Sequence, residues 1–182
     1  MTLAISHMEG NKVILDSTRE ARPPFSPDAV TKEFADVIKS YGITTARSDR
    51  YGGDWPKERY AVHGVEVRPA LQPKSDIYLS MLPMLNSRRV ELLDNPLLCS
   101  QLCALERRTA RGGRDSIDHA PGAHDDLINS AAGSIVLAAQ RTAQAIPLVA
   151  PIIVSLNEPI VPGQSATAAF YEYYGVNAHR WN

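Results

Sequence analysis

The sequence predicts an α/β domain built on a mixed sheet, and three observations carry that reading. Two short β-rich runs, residues 1–7 and 12–16, precede an amphipathic helix and a further β-rich run at 43–48. Strand, helix, strand is the order from which mixed sheets are assembled. A strand, a Pro/Gly turn and a long Ala-rich helix then follow over 116–140. Finally, 182 residues with 44% hydrophobic and 21% charged side chains are enough for one substantial core.

Taken in order, residues 1–7 (MTLAISH) and 12–16 (KVILD) flank MEGN and read as an antiparallel hairpin. The next helix is well signalled. Ser26 suits the N-cap, Pro27 the first helical position and Asp28 the first turn. Phe25 and Val30 are spaced for a hydrophobic staple, and Val30, Phe34, Val37, Ile38 and Tyr41 make one apolar stripe that Gly42 ends. Residues 43–48 should then lie inside the sheet. A short helix over 55–63, a strand at 65–68, and a helix capped by Ser75 and bent by Pro83 come next. A strand at 90–93 and a helix opened by Asn95-Pro96 precede a hairpin over 106–118 with a Gly-Gly tip. The long helix from Asp125 turns Leu127, Ile128, Ala131, Ala132, Ile135 and Val136 inward. Domain boundaries are expected at 1–145 for the α/β unit and 146–182 for an extension. That extension is apolar, Pro-punctuated and aromatic near its end, and suits an extra docked strand, a subunit contact or a loosely ordered tail.

Charge and cysteine content narrow the function. Net charge is −1, so any nucleic-acid surface must be local. Cys99 and Cys103 sit at i, i+4 in an apolar run and read as reduced core residues. Their C-x₃-C spacing is not a usual zinc pattern, even with His119 and His124 downstream. No run approaches the ~18–20 apolar residues of a membrane span, and no signal peptide opens the chain, so a soluble intracellular protein is expected.

The candidate chemistry is acidic. Asp125 and Asp126 start the long helix, bracketed by His119 and His124, and Asp49 ends a predicted strand before Tyr51-Gly52-Gly53. Carboxylates converging from a helix start and a strand end suit a hard divalent cation. Helix capping explains the Asp pair equally simply, and a turn explains Asp49. Asp16 also ends a strand, but Arg19 and Arg22 stand close by as surface partners. Arg107, Arg108, Arg111 and Arg114 crowd the hairpin, where guanidinium groups could clamp phosphates.

These residues also carry a family resemblance. REARPPFSPDAV, SDRYGGDWPKE, PKSDIY, LPMLNSRRVELLD and LERRTARGGRDSIDHAPGAHDDL resemble the C-terminal nuclease domain of the large terminase subunit of tailed bacteriophages and prophages, over about residues 1–142. The resemblance implies a ribonuclease H-like fold, a mixed sheet flanked by helices. It implies an endonuclease that cuts concatemeric double-stranded DNA with Mg²⁺ or Mn²⁺ in the cytoplasm of a bacterial host. Its partners would be a portal protein, a small terminase subunit and an ATPase domain. Carried over by position, Asp49 is the second acidic ligand, and Asp125 and Asp126 are the acids of the last helix. Lys74, Arg107, Arg111 and Arg114 would hold DNA, with His119 and His124 behind the ligands. The family's first acid lies on a first, central strand upstream of the stretch matching MTLAISHMEG, and Asp16 is on the wrong element to replace it. The expectation is therefore a truncated domain lacking the first strand and the ATPase domain, with impaired activity. The alternative is a non-catalytic remnant that acts as a DNA-binding or assembly module. Another ribonuclease H-like nuclease, such as a resolvase, fits the GGRDSIDH…HDDL block less well.

Overall fold

The computed structural model describes residues 1–49, 55–109, 115–142 and 150–154, with backbone alone for 141–142 and 150–154. β1 (Thr2–Glu9) and β2 (Lys12–Glu20) form the expected antiparallel hairpin. Ile5 pairs with Ser17 and Ser6 with Leu15, so Asp16 is the extra residue of a β-bulge. Its carboxylate meets His7 Nδ1 at 2.8 Å. The arginines expected as its partners bond elsewhere, Arg19 to Ser17 and Arg22 to Glu20.

α1 (Pro27–Ser40) starts where the sequence signals it, with Ser26 Oγ accepting from the Ala29 N–H. Val30, Phe34 and Ile38 are buried, but Tyr41 is not. It is the C-cap residue, with ψ near 9°, and so leaves the helical stripe before reaching the core. β3 (Thr45–Ser48), α2 (Trp55–Val62), β4 (Glu66–Pro69), α3 (Lys74–Asn86) and β5 (Val90–Glu91) follow. Ser75 does not cap α3. Its hydroxyl donates to the Ile117 carbonyl at 3.1 Å and accepts from the Ile117 N–H at 3.2 Å. α4 (Pro96–Cys103) is capped by Asn95, whose Oδ1 accepts from Leu97 and Leu98. Leu98 and Gln101 take its buried face, which leaves Cys99 and Cys103 exposed and corrects their assignment to the core. β6 (Leu105–Thr109) and β7 (Asp115–His119) pair as a separate two-stranded ribbon, and α5 (Asp126–Thr142) precedes β8 (Ala150–Val154).

The main sheet has the order β4-β3-β8-β1-β2-β5. β8 is parallel to β3 and antiparallel to β1. A segment from the region read as an extension thus joins the two halves of the sheet. Helices cover both faces. Ala4, Val13 and Leu15 pack with α3, α4 and α5 on one side. Leu3 and Ile5 pack with α1 and α2 on the other. The period-2 alternation of β1 makes this division. Small residues of α5, Ala131, Ala132 and Ser134, sit fully buried against the sheet, and Ser134 Oγ meets Ser6 Oγ at 2.7 Å. Among the described residues no helix is long and apolar enough to cross a membrane.

Candidate functional site

The start of α5 decides where its carboxylates go. The Asp125 carbonyl accepts the first helical hydrogen bond, from Asn129 N–H at 2.8 Å, which makes Asp125 the N-cap residue. An N-cap side chain ordinarily accepts from the N–H groups two or three positions on. Here Gln101 of α4 takes both. Its Oε1 accepts from Leu127 and Ile128, each at 3.0 Å. The Asp125 carboxylate instead lies fully buried against α3 and β7. Tyr78 donates its hydroxyl to Asp125 Oδ2 at 3.0 Å, and Lys74 Nζ lies 3.1 Å from the same oxygen.

Asp118 and His119, the last residues of β7, complete the cluster. Among the described residues, Asp118, His119 and Asp125 form the group of three potential metal ligands, with donor atoms all within 4.8 Å of one another. Lys74 Nζ is 2.6 Å from Asp118 Oδ1, and the His119 N–H donates to that same oxygen at 2.9 Å. The ring of His119 is informative. Nδ1 lies 2.9 Å from the Ala120 carbonyl, which can only accept, so Nδ1 carries the hydrogen. The other ring nitrogen, Nε2, lies 3.8 Å from Asp118 Oδ1 and 4.0 Å from Asp125 Oδ1. A carbonyl on the far nitrogen is the usual device that fixes a metal-binding histidine. Two carboxylates and one imidazole suit Mn²⁺ well, and Mg²⁺ with waters filling its remaining positions.

Electrostatics follow from burial and pairing. For Asp118, burial works against the charged form, but the hydrogen bonds from Lys74 and the His119 backbone outweigh it and hold the carboxyl below its ordinary range. Burial likewise works against the Lys74 ammonium, and the two carboxylates reverse this and raise it. The Tyr78 hydroxyl is pushed up, first by burial and then by Asp125, so it stays a donor.

Asp126, His124 and Asp49 are not members of this group of three. Asp126 lines a cleft of about 660 Å³, together with Thr2, Glu20, Arg22, Gln101 and His124 among others. Burial raises its carboxyl, against the lowering effect of the Met1 ammonium. His124 is exposed on that cleft. Asp49 directly follows Ser48, which pairs with Ile153 of β8, which pairs with Leu3. Thr2 in turn donates its hydroxyl to the Asp126 carbonyl at 3.0 Å. Asp49 and the start of α5 therefore occupy the same end of the sheet, with Asp49 two inter-strand spacings, roughly 10 Å, from β1. That end is the carboxyl end of parallel β3 and β8, where open α/β sheets collect ligands. Lys74, read as a phosphate contact, lies inside the carboxylate cluster. Arg107 pairs with Asp115 and Arg108 with Glu106 on the exposed β6–β7 ribbon, while Arg111, Arg114 and the Gly-Gly tip lie outside the described residues.

Comparison with solved structures gives a counterpart for the fold. The crystal structure of the large terminase nuclease from thermophilic phage G20c superposes with a TM-score of 0.55 at 12% identity, over 71% of this chain and 80% of that one. The fold is that of a terminase nuclease. The sequence matches no protein-family model and no curated protein. Sequence reasoning missed Asp118, although the criterion that selected Asp49, an acid at the end of a strand, applies to it equally. Gln101 and Tyr78 carried no comparable signal.

Proposed function

We propose that this chain is a metal-dependent endonuclease domain of the terminase kind, acting on double-stranded DNA. The observation that carries the reading is the meeting of Asp118, His119 and Asp125, with potential ligand atoms all within 4.8 Å of one another, on a terminase-nuclease fold. Asp118, His119 and Asp125 would hold one Mg²⁺ or Mn²⁺, with Asp49 and Asp126 at the same sheet end serving a second ion or the substrate. A divalent ion held there would supply charge neutralisation for the phosphate and activation of water. The chain's own groups do the rest. Tyr78 would hold the Asp125 carboxylate, Gln101 would serve the N–H groups at the start of α5, and Arg107, Arg111 and Arg114 would draw the backbone of DNA towards the cluster. In the packaging setting the substrate would be concatemeric DNA, with portal, small subunit and ATPase domain as partners.

The family resemblance calls for an acid on a first, central strand, and the strand central in this sheet, between β3 and β1, is β8. Its sequence, APIIV, brings no carboxylate. Activity should therefore be weak. A plasmid-nicking assay tests this: slow Mn²⁺-dependent nicking, lost in Asp125→Asn, is expected. The β8 sequence also favours a second reading, a non-catalytic DNA-binding or assembly module. Salt-dependent DNA binding without any nicking would select that reading and remove the first.

A further inference from the structure

Lys74 is an unusual residue to find at the start of a helix. Positive charge in a first turn opposes the helix macrodipole, so α3 itself gains nothing from it there. What holds the ammonium is the pair of carboxylate oxygens at 2.6 Å and 3.1 Å, one from Asp118 and one from Asp125. A divalent ion bonded to those carboxylates at ~2.1 Å would share that volume, where two cations in contact repel strongly. The lysine stem is long and flexible, and its side chain keeps 24% of its surface in solvent. It has somewhere to go.

We propose that Lys74 is a tethered counter-ion that occupies the cation position of the cluster and is expelled when a divalent metal enters. The proposal rests on the metal-site reading above. Without metal, Lys74 keeps the buried Asp125 carboxylate compensated and the helix start in place. With metal, the freed ammonium sits at the rim of the site, close enough to the cluster to meet a phosphate of incoming DNA. Metal loading and substrate capture are thereby linked through one side chain.

Calorimetric titration with Mn²⁺ of the full chain, of Lys74→Met and of Asp125→Asn tests the idea. The methionine variant keeps the apolar stem and should bind Mn²⁺ at least tenfold more tightly than wild type, while Asp125→Asn loses binding. Through-space electrostatics alone would also tighten binding in that variant, so a second measurement addresses displacement directly. Reductive methylation of the wild-type chain, read by mass spectrometry, should label Lys74 several-fold faster once saturating Mg²⁺ is added. Wild type that binds Mn²⁺ with no gain in Lys74→Met, or with unchanged Lys74 labelling, overturns the proposal and leaves the metal site standing. Absence of Mn²⁺ binding in every chain removes the metal site and the proposal together. Binding by Lys74→Met alone supports the lysine as a complete block.

Discussion

Gln101 shows how one side chain decides what another can do. By accepting from Leu127 and Ile128 it satisfies N–H groups at the start of α5 that Asp125 would otherwise serve. Removing it leaves two buried donors unsatisfied, at a cost of about 1–3 kcal/mol each when no replacement is found. Gln101→Ala should lower the urea midpoint accordingly. It should also weaken Mn²⁺ binding, because the Asp125 carboxylate is drawn back to the helix N–H groups. A variant that loses stability and keeps its metal affinity would show that capping and ligand orientation are separate. Asp126 gives a prediction of opposite character. Its carboxyl is raised by burial, so the charged form weakens the fold at every pH above its ordinary value of 3.8. Asp126→Asn should therefore raise the urea midpoint at pH 7 and leave it unchanged near pH 3. A gain that persisted in acid would come from packing and not from charge.

At the scale of elements, the readable parts were those that local chemistry specifies. Ser26-Pro27, Asn95-Pro96 and the apolar stripes of α1 and α5 mark helices through caps and periodicity, and each helix stands where those signals put it. What the sequence hid depends on contacts between distant segments. Cys99 and Cys103 looked internal because the run is apolar throughout, yet only one face of α4 meets α5. Asp118 becomes a site residue only because β7 packs on α3, where Ser75 and Lys74 receive it. The β6–β7 ribbon is more ambiguous, since Arg107 and Arg108 already have acidic partners on its surface. Exposed pairs of this kind contribute little, so phosphates can compete for the arginines. Replacing Arg107, Arg111 and Arg114 one at a time with Ala should lower DNA affinity and flatten its dependence on log salt by about one unit for each phosphate no longer held. An unflattened slope would make the ribbon a solvated surface.

For the whole molecule, the decisive pairing is the one made by β8. The halves of the sheet, β1-β2-β5 and β3-β4, are not neighbours; β8 pairs with both. Sequence patterns could suggest that residues 150–154 form a strand, but no local signal states between which strands it lies. Its removal would expose the facing edges of β1 and β3, and backbone N–H and C=O groups inside a covered sheet cannot be left without partners. A chain ending at residue 142 should therefore lose cooperative unfolding or aggregate through its open edges, whereas one ending at residue 156 should unfold cooperatively near the midpoint of the full chain. Hydrogen exchange adds a local readout. The amides of 3–5 in β1 should be among the slow exchangers in the longer chain, since that strand is paired on both sides. Equal protection in the two chains would mean that β1 and β3 close on each other directly. The strand order would then be a choice among alternatives, and the carboxyl end that gathers Asp49 with the start of α5 would have to be redrawn without β8.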